Sequence, residues 1–349
     1  MFVERIELVD FRSYGDASFS FHPKKNLIYG KNGSGKTNLL EAISLLSEDD
    51  SIRGAKNNEL IRHGAPFASL KGVFGNDGRT SVVERIFEEK RTRTLLNGLP
   101  VRTSKELKSY PIVSFLPEMT AMFHAYPEAR RRYIDKLSER FSLSYRKVRK
   151  SYAKTLYERN LMIKNPMPRY GKEMMAALDE KLVKEGTALT RMRAAMVKNL
   201  GEYAEILHMK LSYGKESLAI RYDSKLDPSR IEASFREGLM ETKLLEREYR
   251  RTLIGPHLDD LTFAIDGKDA KRFASQGQLR TIRLALTLTE VELIKSIYHK
   301  MPILLLDDVY SELDEDRRRI LTDTIEDGQI FLTDTDQRDD IHHMIEIPR

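Results

Sequence analysis

The chain has 349 residues, 32% charged and 40% hydrophobic, with a formal net charge of +6. It contains no cysteine, which excludes disulfides and thiolate zinc or iron–sulfur sites and fits a reducing compartment. No apolar run approaches about 18 residues and residues 1–6 lack a signal-peptide layout, so no membrane span is expected and the cytoplasm is the default location.

Residues 1–30 alternate apolar and polar at Phe2, Ile6, Leu8, Phe19, Phe21, Leu27 and Ile28. That period predicts two or three strands, with residues 11–15 as a turn. The last of them, 26–29, leads into Gly30-Lys31-Asn32-Gly33-Ser34-Gly35-Lys36-Thr37, which reads G-x-x-x-x-G-K-T, a phosphate-binding P-loop. Leu39, Leu40, Ile43 and Leu46 then fall at helical spacing. Glycines let the backbone wrap a phosphate chain, and the helix N-terminus faces the anion. Lys36 is placed to reach the β- and γ-phosphates, and Thr37 to ligate Mg²⁺. A plain glycine-rich turn does not account for the strand before it and the helix after it, so the pattern predicts nucleoside triphosphate binding.

Residues 51–65 read as loop. Between 67 and 101, Asn76-Asp77-Gly78 and Asn97-Gly98 mark hairpins of a small antiparallel sheet. Residues 111–116 form an apolar run closed by Pro117, another buried strand. From Pro127 helix formers dominate for over a hundred residues, broken by a turn at 166–171 and a short strand at 218–222. Leu178, Leu182, Leu189 and Met192 recur at helical spacing on the return segment, and a further helix runs from about 228 to 251. This is an inserted helical arm.

Between His124 and Lys172 there are 14 Lys and Arg against 4 Asp and Glu, a local +10 that leaves the rest of the chain net negative. Arg146, Lys147, Arg149, Lys150 and Lys154 could line a groove tracking phosphates, giving salt-dependent, sequence-tolerant DNA binding. The plainer alternative is a solvated helix face, and Arg130, Arg131 and Arg132 could instead tie arm to head. His63, His124 and His257 stand alone, without metal-like spacing.

Strand-like alternation resumes at Leu261, Phe263 and Ile265. Ser275-Gln276-Gly277-Gln278 opens an amphipathic helix and can present a hydroxyl, amides and a helix dipole to an anion, or simply cap the helix. Ile303-Leu304-Leu305-Leu306 is a strand buried on both faces, ending in Asp307-Asp308, a Walker B pattern. Asp307 is assigned to the metal, usually through water, and Asp308 to polarising the attacking water. Residues 330–333 give one more central strand.

Walker A, the S-Q-G-Q helix, I-L-L-L-D-D and Ser311-Glu312-Leu313-Asp314 are similar to the ABC-type ATPase heads of SMC-like DNA proteins. With Phe11-Arg12-Ser13-Tyr14, Gly30 to Asn38, Glu59 to Arg62, Pro117-Glu118, Arg130 to Arg132 and Gly255-Pro256-His257-Leu258-Asp259-Asp260, the ordered set resembles the RecF family of bacterial recombination mediators along nearly the whole chain.

The resemblance implies an α/β fold: a P-loop head with a small antiparallel β-subdomain, in residues 1–125 and 251–349, and a helical arm inserted at 126–250. It implies a homodimer closing head-to-tail over two ATP molecules, with Ser275 acting in trans and Asp314 at the dimer-crossing D-loop position. Asn38, Gln278, Arg12 and Arg62 join the nucleotide contacts on the same ground. It also implies ATP-dependent DNA binding in repair and replication-fork maintenance, weak DNA-stimulated hydrolysis, and work with RecR and, indirectly, RecO and RecA.

Three departures point to slow turnover. No glutamine occurs between Lys36 and Gln276, so the Q-loop ligand is absent and Glu118 sits near its place. Thr333-Asp334 stands where an H-loop histidine is usual, and Asp308 is shorter than the common glutamate. The competing readings are an ABC transporter ATPase, which needs a glutamine-bearing coupling loop, and a structural SMC-like cohesion factor, which needs a much longer arm.

Overall fold

The computed structural model describes the chain except residues 77, 102–106, 108–109, 117–120, 167–170, 310–312, 325–327, 339–340, 342 and 349. The chain divides into two compact units, Met1–Thr120 with Arg283–Arg349, and Ala121–Ile282.

The N-terminal part of the first unit holds β1 (Phe2–Phe11), β2 (Tyr14–Ser20), β3 (Lys25–Tyr29), α1 (Lys36–Leu45), α2 (Asn57–Leu60), β4 (Ala68–Asn76), β5 (Arg79–Glu88), β6 (Arg91–Leu96), β7 (Leu99–Pro100) and β8 (Ile112–Phe115). The second unit contributes α3 (Ala121–His124), α4 (Pro127–Phe141), α5 (Leu143–Lys164), α6 (Gly171–Leu211), β9 (Leu218–Asp223), α7 (Ile231–Tyr249), β10 (Asp260–Ile265), β11 (Lys268–Asp269) and α8 (Ala270–Phe273). Helix α9 (Gln276–Tyr298) carries the chain back to β12 (Ile303–Leu306), α10 (Glu315–Thr324), β13 (Ile330–Asp334) and β14 (Met344–Glu346) of the first unit.

In the first unit, an antiparallel sheet of order β2-β1-β4-β5-β6-β7 and a parallel sheet of order β14-β3-β13-β12-β8 share one core. Helix α1 buries Leu39, Leu40, Ala42, Ile43 and Leu45 in that core, against Ile6, Leu8 and Phe74 of the first sheet and Ile303, Leu305 and Phe331 of the second. The all-apolar β12 is buried at every residue, as its unbroken run requires in a parallel sheet. Strand β13 lies between the P-loop strand β3 and β12, so the loops after β3, β13 and β12 open at one end of the sheet.

The second unit packs α5, α6 and α7 around Tyr145, Tyr152, Leu182, Leu189, Phe235 and Leu239. It extends past the seam that composition marks at 250/251. Strand β10 pairs with β9 over six residues, and Arg130 of α4 makes a two-pronged bond to Asp260, at 2.8 Å for each nitrogen. These long-range pairings hold residues 251–282 in the helical unit, and local texture does not reveal them.

Candidate nucleotide site

The P-loop is shaped by residues that only glycine serves well. Gly30 and Gly35 have φ of 149° and 113°, and a Cβ on Gly30 would come within 2.6 Å of the Ile347 carbonyl. Gly35 is the N-cap of α1. Lys36 Nζ donates to the carbonyls of Gly30 (2.6 Å) and Lys31 (3.1 Å), folding its ammonium over the mouth of the loop. Lys31, Asn32 and Gly33 are exposed, whereas Ser34 Oγ is buried with no hydrogen-bond partner among the described residues. A cation over backbone curled for an anion, with an orphaned hydroxyl inside, fits a phosphate chain.

Thr37, one residue into α1, donates its Oγ1 to Asp307 Oδ2 at 2.9 Å. The two residues assigned to the metal, 270 positions apart in sequence, thus share one point. Asp307 is 6% exposed, and its other oxygen accepts from Thr333 Oγ1 at 2.6 Å. Thr333 in turn accepts from the Asp308 amide at 2.8 Å. Thr333 was no sequence candidate; its signal is register, since Leu306 faces Leu332 and the next residues are Asp307 and Thr333. A carboxylate plus a hydroxyl is the sparse protein ligation Mg²⁺ accepts, with waters and phosphate completing its shell. Asp308 is exposed with φ of 53°, which turns its side chain out of the strand end. At the H-loop position, Asp334 is bound by Arg338 (2.7 Å from Nε) and the Thr335 amide (2.7 Å). Burial works to raise its pKa, but these two partners outweigh it and hold the carboxyl below its usual range.

The β1–β2 turn grips α1. Arg12 donates from Nε and Nη2 to Glu41 at 2.8 and 2.9 Å, Ser13 Oγ accepts from Asn38 Nδ2 at 3.0 Å, and Tyr14 OH donates to the Gly35 carbonyl at 3.0 Å. Positions 35, 38 and 41 lie along one side of the helix start. Arg12, expected to flank the nucleotide, is committed to the fully buried Glu41 and, through Nη1, to the Glu59 carbonyl. Arg62 pairs with Asp10 at 2.7 Å and covers Gly15, so it also braces this turn. Ser13 and Tyr14 went unassigned in the sequence, although the motif containing them stood out.

In the second unit, Ser275 and Gln278 form a reciprocal cap on α9: the Ser275 amide donates to Gln278 Oε1 at 2.8 Å, and the Gln278 amide to Ser275 Oγ at 3.2 Å. Gln278 Nε2 also reaches Glu216 at 2.9 Å, while Ser275, Gln276 and Gly277 are exposed. Asp314 caps α10, accepting from the Arg317 amide at 2.9 Å. Glu118, Ser311 and Glu312 lie outside the described residues.

The basic residues of α5 separate into two kinds. Arg146 and Arg149 both reach back to Glu139 of α4, Arg146 at 3.3 Å. Lys147 and Lys150 stand in solvent, and Lys154 is 73% exposed with Glu158 at 3.8 Å. Among the arginines at the start of α4, Arg130 is buried against Asp260 and the carbonyls of Met122 and Ala125, and Arg131 donates to the Asp259 carbonyl. His257 is a structural residue: its ring meets Tyr152 OH at 2.7 Å and the Thr252 carbonyl at 3.2 Å. No helix among the described residues is long and apolar enough to cross a membrane.

The model of the RecF/RecN/SMC N terminal domain matches residues 2–338. The DNA replication and repair protein RecF of Lachnoclostridium phytofermentans is 35% identical over 354 residues, covering 100% of this chain and 97% of the relative. That of Halalkalibacterium halodurans is 36% identical over 344 residues, covering 96% and 93%. A solved structure of the recombination mediator protein RecF with ATP, in the RecFOR pathway, superposes with a TM-score of 0.89 at 30% identity, covering 98% of this chain and 93% of that one. The Smc head domain of Pyrococcus furiosus, bound to the C-terminal domain of ScpA, superposes at 0.52 with 18% identity over 96% and 90%, a likeness of fold alone.

Proposed function

This chain belongs to the RecF/RecN/SMC family, alongside the RecF DNA replication and repair proteins, and from that premise we propose that it is an ATP-gated DNA clamp of recombinational repair and fork maintenance. The observation that carries the reading is the 2.9 Å bond between Thr37 and Asp307, which joins the two halves of a nucleotide site across the sequence. Thr37 and Asp307 would hold Mg²⁺, whose charge offsets that of a bound triphosphate. Lys36 leaves the loop carbonyls for the β- and γ-phosphates, and the amides at the start of α1 face the same anion. Exposed Asp308 orients and polarises a water for attack on the γ-phosphate.

Closure is proposed to need a second copy, whose exposed Ser275 caps the nucleotide in trans, with Gln278 holding that serine through the α9 cap. Asp314 of each copy lies toward the joint. DNA is gripped in the closed state through cations of the helical unit, Lys147, Lys150 and Lys154 foremost, and slow hydrolysis releases it. Turnover is weak because no glutamine stands at the Q-loop position and Asp334, at the H-loop position, is occupied with Arg338; DNA held in the closed clamp stimulates it. In the cytoplasm such a clamp works with RecR, and through it with RecO and RecA.

Asp308→Asn tests this reading. Asparagine tolerates the left-handed backbone at 308, so folding is unchanged. The variant should still sediment as a dimer with ATP while phosphate release falls at least about 100-fold. Undiminished release would remove Asp308 from the chemistry.

A further inference from the structure

Helix α6 ends in a turn that is pinned at each step. Tyr213 and Gly214 take left-handed φ of 56° and 73°, the Gly214 amide donates back to the Met209 carbonyl at 2.8 Å, and the Lys215 amide to the Ser212 carbonyl at 3.1 Å. Ser212 Oγ donates to the Glu216 carbonyl at 3.2 Å. On the far side, the Ser217 amide donates to Asp266 Oδ1 at 2.9 Å, and the Asp266 amide returns to the Ser217 carbonyl at 3.0 Å. The backbone of Glu216 is thereby fixed between α6 and the pair of strands β9 and β10. Its side chain is 24% exposed, and Oε2 lies 3.8 Å from Nε2 of His208, a wholly buried residue in the last turn of α6.

The other oxygen of that carboxylate, Oε1, accepts from Gln278 Nε2 at 2.9 Å, across 62 residues of sequence. This bond decides which way the glutamine faces. A side-chain amide has a donating end and an accepting end, and a carboxylate only accepts. The NH2 end must therefore meet Glu216, which leaves Gln278 Oε1 for the Ser275 backbone amide, 2.8 Å away. Turned over, Gln278 would set two acceptors together at Glu216 and two donors together at Ser275. With the cap closed, Ser275 Oγ accepts from the Gln278 backbone amide at 3.2 Å, so the hydroxyl proton of this exposed serine points elsewhere, as a donor. A donor is what an anionic phosphate oxygen requires.

We propose that Glu216 is a positioning residue for capping in trans: through Gln278 it presents Ser275 as a hydrogen-bond donor to the triphosphate held by a second copy. The assignment rests on the reading above in which Ser275 caps the partner's nucleotide, and it adds a residue that belongs to none of the nucleotide motifs. An ordinary capping box is complete with its own two residues. Here a third stands five residues past the end of a 41-residue helix, so the posture of Ser275 depends on where α6 ends.

The test is dimerisation of the full-length chain, read by sedimentation over a concentration series with ATP and Mg²⁺, beside the affinity of single copies for a fluorescent ATP analogue at high dilution. Glu216→Ala should raise the dimer dissociation constant about tenfold, the worth of a hydrogen bond to a charged group, and leave single-copy affinity as in the wild type. Glu216→Gln keeps an acceptor for Gln278 and should dimerise close to the wild type. Gln278→Glu sets two carboxylates together and should weaken the dimer at least as much as Glu216→Ala. Adding Glu216→Gln to it restores the bond with donor and acceptor exchanged, and the dimer should recover. In a Ser275→Ala background Glu216→Ala should cost nothing further, because the route runs through that serine. An undiminished dimer in Glu216→Ala, or an exchanged pair no better than Gln278→Glu alone, overturns the assignment and leaves capping in trans standing. A wild type that binds the analogue yet stays monomeric with ATP overturns both.

Discussion

Around residues 30–37 of the first unit, polar groups are held loosely or held in reserve. Lys36 rests on two carbonyls, Ser34 Oγ has no partner among the described residues, and Thr37 leans on a single carboxylate oxygen. In Ala121–Ile282 the buried charges satisfy one another. Arg193 makes a two-pronged bond to Asp135 (2.8 and 3.0 Å) and donates to the Pro256 carbonyl at 2.6 Å, while Arg159 is spent on Asp179, Glu246 and Thr252, each at 2.7 Å. The contrast teaches how to weigh a buried charge. One whose bonds are all made with protein is architecture, and one whose neighbourhood is unfinished awaits a ligand.

The contrast breaks most visibly at Arg193. Arg193→Met leaves the half-buried Asp135 without its cation, bonded only by the Tyr145 hydroxyl, and should destabilise the helical unit by about 3 kcal/mol in urea unfolding, with ATP affinity of the folded protein unchanged. A loss of ATP affinity at matched folded fraction would mean that the network serves the nucleotide after all.

A smaller effect is expected at His257. Burial, then the neighbouring Arg131, Arg159 and Arg193, lower its pKa from 6.5 to about 4, against the raising influence of the Thr252 carbonyl. Above pH 6.5 the ring is neutral in folded and unfolded chains alike and contributes no pH dependence. As pH falls from about 6.5 towards 4, the unfolded chain takes up a proton that the folded one refuses, and stability declines by up to about 3 kcal/mol. His257→Gln removes this component, so the gap in unfolding free energy between wild type and variant should differ between pH 7.5 and pH 4.5. A gap that stays constant across that window would show that His257 is not held neutral.

The smallest effect sharpens the other side. Tyr14→Phe deletes the hydroxyl that holds the Gly35 carbonyl, which the Leu39 amide still satisfies at 3.0 Å. Stability should fall by about 1 kcal/mol or less. Calorimetric titration should show ATP binding several-fold weaker, because the first turn of α1 is no longer clamped at the angle a phosphate needs. Equal affinity in the two proteins would make the turn a mere prop.

Much of the site was legible in the sequence because its chemistry is local. The glycines, Lys36 and Thr37 are contiguous, β12 and its two aspartates are contiguous, and Ser275 with Gln278 spells a cap. What was not legible depends on which charge meets which across the fold. Arg12 reads as a cation beside a P-loop, yet Glu41, one helical turn past Thr37 and fully buried, claims it. Arg146 and Arg149 read as part of a basic groove, yet the bend between α4 and α5 returns Glu139 to them. Thr333 is invisible without knowing that β13 and β12 are neighbours in register. The division between the units after Ile282 is hidden for the same reason, since the partners of Asp260 and β10 lie far upstream.

The parallel sheet has a consequence for the birth of the protein on the ribosome. The P-loop strand β3 has β13 on one side and β14 on the other, both made from residues 330–346. The long helical insertion is translated in between. A nascent chain therefore carries its complete G-x-x-x-x-G-K-T sequence for most of its synthesis with neither flank of that strand in place, and Asp307 not yet made. The helical unit, whose pairings lie within Ala121–Ile282, can settle first. Nucleotide competence then arrives in one late step, when the final strands slide in beside β3, so truncated products from stalled translation would carry the motif without the site.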